Sequence, residues 1–506
     1  MLEMMNRSRK SLYNMLFGVA NQLIILVMGL IIPRMFIMNY GSEVNGLQSS
    51  IAYIYTYIKL LESGIGTATI QALLKAFGND NKNEINAVLS ATNIQYKKVA
   101  KIYFLCMLIF AIIYPMTISS TIDSLTISMV VFLSGIGSLI SFWTYGKFIL
   151  LLQADGRSFV VSTIGLIIYI LNNIIKIILI ALGFSFVCVY LGGLVLSGVT
   201  WIFYEWYRKK HYSWVNYKVE PKFSAISQSK NVLVHQIASI VCNSTDVLVL
   251  TYVVGSLKLV SIYNVYIMIF DAVKSLIINI FSSVNFIMGQ TYHKDIVLYR
   301  KYHHVYEVLD MAVSFTMYSI AYVMIIPFLK VYTRGITDIN YIDKYLPLLF
   351  VLIKLLTSAR EPASQLINYA GHFKNTQNRA IIETTINVVI SIIASYFLGI
   401  YGVLLGTVVA LGYRTIDMYI YTSRRFLDRG VWKSAKQWLI YMSAFAIVML
   451  ASSTIEIHVG GYVEFFAKAL IVAVIVACFY ALYTCIFNFD VIRTVVNVIK
   501  DKLQRK

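Results

Sequence analysis

Apolar stretches of about 20 residues recur along nearly the whole chain, beginning at residue 12 and ending at residue 487. That length is what a helix needs to cross the hydrocarbon core of a bilayer. Backbone hydrogen bonds in such a core must be satisfied within the segment, so a helix is the only open-chain solution. Spans are expected at 12–38, 46–70, 99–117, 127–152, 158–182, 186–205, 231–254, 259–287, 306–329, 345–369, 380–398, 401–421, 436–453 and 463–487. The expected fold class is therefore an all-α polytopic membrane protein with about 14 transmembrane helices. Composition agrees, because only 13% of residues are charged, against about a quarter in a soluble domain. The basic start Met1–Lys10 resembles a signal peptide, but the apolar run behind it is too long for one and reads as the first span.

Charge gives the helices an orientation. Only Lys258, Lys330, Arg334 and Lys344 fall in the loops of one face, against about thirty Lys and Arg in the segments of the other, which the positive-inside rule assigns to the cytoplasm. The expectation is a multi-pass protein of the cell (cytoplasmic) membrane with both termini cytoplasmic. The net charge of +19 is explained in this way, and no basic module interleaved with aromatics points to nucleic acid. Cys106, Cys188, Cys242, Cys478 and Cys485 lie in or beside apolar runs and read as small packing residues. No spacing suggests a metal site, no cofactor is implied, and no phosphate-binding G-x-x-x-x-G-K-[ST] stretch suggests ATP use within the chain.

An internal repeat follows from residue offsets. Lys59 maps onto Lys274, Gly156 onto Gly371 and Asn172 onto Asn387 at a spacing of 215, and Gly41-Ser42 onto Gly255-Ser256 at 214. Several matches at nearly one register suggest two six-helix repeats. The expected domains are an N-terminal six-helix bundle (1–210), a cytoplasmic linker (211–230), a C-terminal six-helix bundle (231–425), and two extra transmembrane helices with a basic tail (426–506).

Ionisable residues within spans are functional candidates because each is costly there. Tyr55, Lys59 and Glu62 are spaced i, i+4, i+7 and share a face on a regular helix. Asp271 and Lys274 repeat the theme at i, i+3. For each lysine two readings stand: an intrahelical pair with the neighbouring acid, or a cation presented to an anionic cargo. Arg34 suits either a phosphate contact or an interfacial anchor. Lys176, beside Asn172 and Asn173, needs water or an anion. Asp246, behind Asn243, Ser244 and Thr245, is an ion-site candidate or a helix-crossing hydrogen-bond group. Candidates for a coupling H+ or Na+ are Asp246, Asp271 and Glu62. His235 reads as a polar interface residue. Arg360, Glu361, Glu383, Arg414, Asp417 and Lys468 sit near span ends and are set aside as snorkelling residues. No catalytic constellation is evident, so a transporter is expected rather than an enzyme.

Pro33-Arg34, Tyr40-Gly41-Ser42-Glu43-Val44-Asn45-Gly46-Leu47 and Leu60-Leu61-Glu62-Ser63-Gly64-Ile65-Gly66 resemble the N-terminal block of polysaccharide (O-antigen- or capsule-type) flippases. These belong to the multidrug/oligosaccharidyl-lipid/polysaccharide exporter superfamily, which includes the lipid II flippases. Asn243–Asp246 with Gly255 and Tyr263 resembles the start of their second half, and Gly156-Arg157 also fits. The resemblance implies two bundles around a central cavity, alternating access, and transfer of undecaprenyl-diphosphate-linked oligosaccharide from the cytoplasmic to the outer leaflet. Arg34, Lys59 and Lys274 fall at places comparable to cavity arginines of lipid II flippases, but two of the three are lysine. The resemblance further implies membrane lipid as a partner, with a polysaccharide polymerase and glycosyltransferases in the same pathway. A cation-coupled drug or metabolite exporter of the same superfamily is the alternative.

Overall fold

The computed structural model describes residues 24–79, 81–226 and 230–504. Met1–Lys10, and with them the expected placement of the N-terminus, lie outside the described residues, as do the side chains of His235, Cys242 and Asn243. The described chain is helical, with no strand. In chain order the helices are α1 (Ile24–Tyr40), α2 (Ser42–Ile58), α3 (Ser63–Gly78), α4 (Lys82–Thr117), α5 (Ser124–Trp143), α6 (Gly146–Ala154), α7 (Ser158–Ala181), α8 (Phe186–His211) and α9 (Lys230–Tyr252). They continue as α10 (Leu257–Lys294), α11 (Ile296–Tyr332), α12 (Leu346–Ala359), α13 (Glu361–Tyr369), α14 (Phe373–Leu398), α15 (Ile400–Thr422), α16 (Trp432–Ser453), α17 (Tyr462–Phe487) and α18 (Phe489–Gln504).

Ten of these helices are long and apolar enough to cross a membrane. The other expected spans are shorter, broken or more polar: α1, the pair α2–α3, α9, and the pair α12–α13. Helix starts follow local chemistry. Asn81, Asp123 and Asp295 place side-chain oxygens on the free N–H groups of α4, α5 and α11, at 3.1, 3.1 and 2.9 Å, which is the N-cap device. The break before α13 falls at Arg360-Glu361-Pro362, where proline suits a helix start and cannot continue the helix before it.

The 215-residue register reappears in the helix bounds. α6 and α13 differ by 215 residues at both ends, and α7 and α14 at their starts. Gly156 (φ 72°) and Gly371 (φ 67°) occupy the same step between those helices. A left-handed backbone there disfavours any side chain.

The chain divides into two compact units, Met1–Ser261 and Ile262–Lys506. In the first unit α9 packs on α2. Gly46 lets α2 approach the start of α10 as well: a Cβ there would lie 1.8 Å from the Leu257 carbonyl oxygen. Asn45 donates to Ser261 Oγ at 2.7 Å, and Ser50 and Thr251 hydroxyls meet at 2.9 Å. Small residues with hydroxyl and amide bonds are how helices associate where no hydrophobic drive separates helix from lipid. The core of this unit is aromatic, with Tyr55, Tyr96, Tyr103, Phe110, Tyr114 and Phe142 in one cluster.

In the second unit α14 and α15 form a tight hairpin. A Cβ on Gly402 would meet the Ala394 oxygen at 2.2 Å, and one on Gly406 the Ser391 Oγ at 2.3 Å. The two C-terminal spans rest on α11, through Phe315 against Tyr441 (5.7 Å between rings) and a 2.8 Å bond between Ser319 and Tyr480.

Candidate functional site

In the first unit the second span does not run as one regular helix. Residues Lys59–Leu61 wind as a 3-10 turn between α2 and α3, so the even face assumed for Tyr55, Lys59 and Glu62 is interrupted. Tyr55 lies in the core, 4% exposed, with its hydroxyl donating to the Val131 carbonyl at 2.7 Å. Gly135 makes the room, since a Cβ there would sit 2.5 Å from that hydroxyl. Tyr55 thus packs within the core of this unit. Glu62 accepts from Tyr96 Oη at 2.5 Å, and Gly66 leaves space for its carboxylate. Lys59 is exposed and makes no ion pair with Glu62.

Arg34 and Lys176 are half-buried in α1 and α7. Beside Lys176, Asn173 donates to the Tyr169 carbonyl at 3.0 Å, and the buried Asn172 Oδ1 has no hydrogen-bond partner among the described residues. Ser244, Thr245 and Asp246 are buried at 3%, 6% and 5% exposure, a polar island within α9. The block Gly41–Leu47 is accounted for by packing: Gly41 has φ 89°, Glu43 holds Ser120 and the Thr121 N–H at 2.7 Å each, and Asn45 and Gly46 form the seam with α9 and the start of α10.

In the second unit Asp271 and Lys274 make no ion pair, so of the two readings the intrahelical pair is not the one seen. Asp271 instead accepts from Lys354 of α12 at 2.6 Å. Lys354 is buried and Asp271 is half-exposed. Lys274 is half-buried and makes no ion pair among the described residues. Each unit thus carries a lysine, Lys59 in the 3-10 turn after α2 and Lys274 within α10, whose neighbouring acid is engaged elsewhere.

Four of the six residues set aside as snorkelling, Arg360, Glu383, Arg414 and Asp417, are corrected by the structure. Arg360 meets Glu383 at 2.5 Å, Glu383 meets Arg414 at 3.3 Å, Arg414 meets Asp417 at 2.9 Å, and Asp417 also binds Arg379. Arg414 and Glu383 are only 4% and 7% exposed, so this alternating chain is interior to the unit. The close α14–α15 hairpin brings together charges that hydropathy alone placed near span ends.

A second buried group lies on α11 and was missed. Glu307 (2% exposed) receives Arg429 at 2.7 Å, and Arg429 also reaches Ser434 at 2.7 Å. His303 and Asp310, at 1% and 2% exposure, share this stretch, and Asp310 Oδ2 has no hydrogen-bond partner among the described residues. The signal was present in the sequence, because 303, 307 and 310 are spaced i, i+4, i+7.

No family model matches the chain, and no curated protein matches it. Solved structures do. A lipid II flippase, MurJ, in an inward closed conformation has a TM-score of 0.62 at 15% identity, covering 94% of this chain and 99% of that one. An inward-facing multidrug resistance MATE family transporter of the MOP superfamily has a TM-score of 0.61 at 16% identity, covering 80% of this chain and 98% of that one. A MOP superfamily transporter from Pyrococcus furiosus, described as having a binding pocket of reverse polarity, has a TM-score of 0.51 at 15% identity, covering 81% and 96%. At these identities the likeness establishes the fold. The chain is a multi-pass α-helical membrane protein with the architecture shared by these transporters.

Proposed function

We propose that the protein is a flippase that moves an undecaprenyl-diphosphate-linked oligosaccharide from the cytoplasmic to the outer leaflet by alternating access. The observation that carries this reading is the state of Lys59 and Lys274. Tyr96 holds Glu62 and Lys354 holds Asp271, so neither Lys59 nor Lys274 pairs with its neighbouring acid, and each ammonium is left for an anionic group of the cargo. A cation in a span is costly without a counter-charge, and a diphosphate supplies one. The share of the chain covered supports the same reading: the likeness to the lipid II flippase extends over 94% of the chain, and that to the multidrug transporter over 80%, a difference about the size of α16–α18. Arg34 is a further phosphate contact, and both termini are cytoplasmic.

The test is surface polysaccharide export in a strain carrying Lys59→Ala and Lys274→Ala together. Export falls by about tenfold or more if the lysines hold the head group, that factor corresponding to about 1.4 kcal/mol. Full export by the double variant, at normal protein level, overturns the cationic-site reading.

The second reading, a cation-coupled drug or metabolite exporter, is favoured by the buried Asp246. It predicts that the chain protects a drug-sensitive host and that Asp246→Asn removes the protection. An unchanged inhibitory concentration in that host argues against it.

A further inference from the structure

The first unit contains a cavity of about 480 Å³ that none of the groups above enters. It forms where α5 breaks into α6. Thr144, Tyr145, Lys147 and Phe148, the residues of the break and of the first turn of α6, line one side. The unsatisfied N–H groups and positive dipole end of a helix start favour an anion.

Lys147 is the second and independent feature. It is 8% exposed, it lines the cavity, and among the described residues its ammonium has neither a hydrogen bond nor an ion pair. Its ammonium lies over the Tyr217 ring, at 5.0 Å to the centroid. An ammonium buried to this degree normally finds an anion.

The opposite wall comes from the last turns of α8. Arg208 is already paired with Glu205, at 3.0 and 2.5 Å. Lys209 lines the same cavity and is exposed. The cavity therefore keeps the charge of Lys147 and Lys209 unbalanced.

The segment after α8 closes the third side and is fastened in place. Ser90 donates to the Val219 carbonyl at 2.7 Å, Asn86 accepts from the Asn216 N–H at 3.0 Å, and Lys222 pairs with Glu84 at 2.6 Å. Tyr212 donates to Asp155. Burial, followed by that hydrogen bond to a carboxylate, raises the Tyr212 phenol above its ordinary value, so it stays the donor. Tyr217 is thus held over Lys147 by a built wall.

The surroundings identify the source of the anion. Trp201, which lines the cavity, and Trp206, one turn further on, are 45% and 52% exposed on an apolar helix, and Lys210 lies over the Trp206 ring at 5.0 Å. Exposed tryptophan beside lysine at the end of a span marks the head-group layer of a bilayer.

We infer that this cavity is a binding site for the phosphate of an anionic membrane phospholipid, with Lys147 and Lys209 as its cationic contacts and the start of α6 as its N–H donor. The site is distinct from the lysines proposed to hold cargo, and its test does not depend on the transport reading.

The experiment is native mass spectrometry of the full chain in detergent, titrated with phosphatidylglycerol, phosphatidylcholine or inorganic phosphate. The expected result is one phosphatidylglycerol retained under conditions that strip phosphatidylcholine. Lys147→Gln weakens its retention about tenfold, as for loss of a charge-assisted contact. Lys209→Gln, at an exposed position that folding does not need, weakens it in the same direction and guards against a fold defect in the first variant. Equal retention of the two lipids overturns the inference, as does unchanged phosphatidylglycerol binding by Lys209→Gln. Displacement of the lipid by millimolar inorganic phosphate overturns the lipid as source.

Discussion

Lys354 of α12 donates to Asp271 of α10 at 2.6 Å and so takes the carboxylate that stands one helical turn from Lys274. The equivalent lysine of the first unit loses its neighbour to an uncharged donor, Tyr96. Two different devices produce one geometric outcome, a lysine whose neighbouring acid is engaged elsewhere.

Tyr96→Phe releases Glu62 to pair with Lys59 at i, i+3. Helix pairs at this spacing are worth about 0.2–0.5 kcal/mol in water and more when desolvated. Polysaccharide export is expected to fall several-fold although no charge has been altered. Adding Glu62→Gln to Tyr96→Phe restores it. If Tyr96→Phe exports normally at normal protein level, Glu62 is not controlling Lys59.

Lys354→Met does the same in the second unit by freeing Asp271 for Lys274. Asp271 is half-exposed, so the stability cost is small, about 1 kcal/mol or less. Loss of export with a nearly unchanged melting temperature is the expected combination, and Asp271→Asn rescues it. A large drop in melting temperature with wild-type specific activity contradicts the assignment.

Gly46→Ala drives a methyl group into the Leu257 carbonyl, 1.8 Å away. The seam between α2 and the α9–α10 corner must open, at a cost of about 1–3 kcal/mol or more. Gly165→Ala in α7 meets nothing within 4 Å and is the matched control, with stability unchanged or slightly raised. Thermal unfolding in detergent compares them directly.

Arg429→Ala leaves Glu307 buried at 2% exposure without its cation. Breaking such a pair costs about 3–5 kcal/mol, whereas replacing both partners by uncharged groups is far milder. The double variant Glu307→Gln/Arg429→Met is therefore expected to melt above Arg429→Ala. Equal melting temperatures for all three proteins dismiss the pair as a stabilising contact.

Local rules carried much of the fold. Apolar run length marks the helices, and the 215-residue spacing of Gly156 and Gly371 marks a step that needs a left-handed backbone in each half. Pro362 announces the break before α13. The 3-10 turn at Lys59 has no such announcement: neither glycine nor proline lies within 59–62, and the hydropathy is continuous, so Tyr55 read as sharing a face with Lys59 when it packs in the core. The partners of the charged residues were beyond reach for another reason. Lys354 and Asp271 are 83 residues apart and Arg429 and Glu307 are 122 apart, and a single sequence offers no rule for joining them. The chain Arg360–Glu383–Arg414–Asp417 was misread because nearness to a span end says nothing about which neighbour covers the side chain.

α4, α10 and α11 are 36, 38 and 37 residues long. At 1.5 Å per residue each measures about 55 Å, while the hydrocarbon layer is about 30 Å thick. The surplus of α4 and α11 is their polar N-terminal part, where Lys97, Lys98, Lys101, Arg300 and Lys301 lie. These helices continue from lipid into water without a joint. A soluble factor, an antibody fragment or an engineered tag that grips such an extension is coupled mechanically to the spanning segment itself, and a ligand on that surface acts on the membrane-embedded bundle through a rigid rod rather than through a tether.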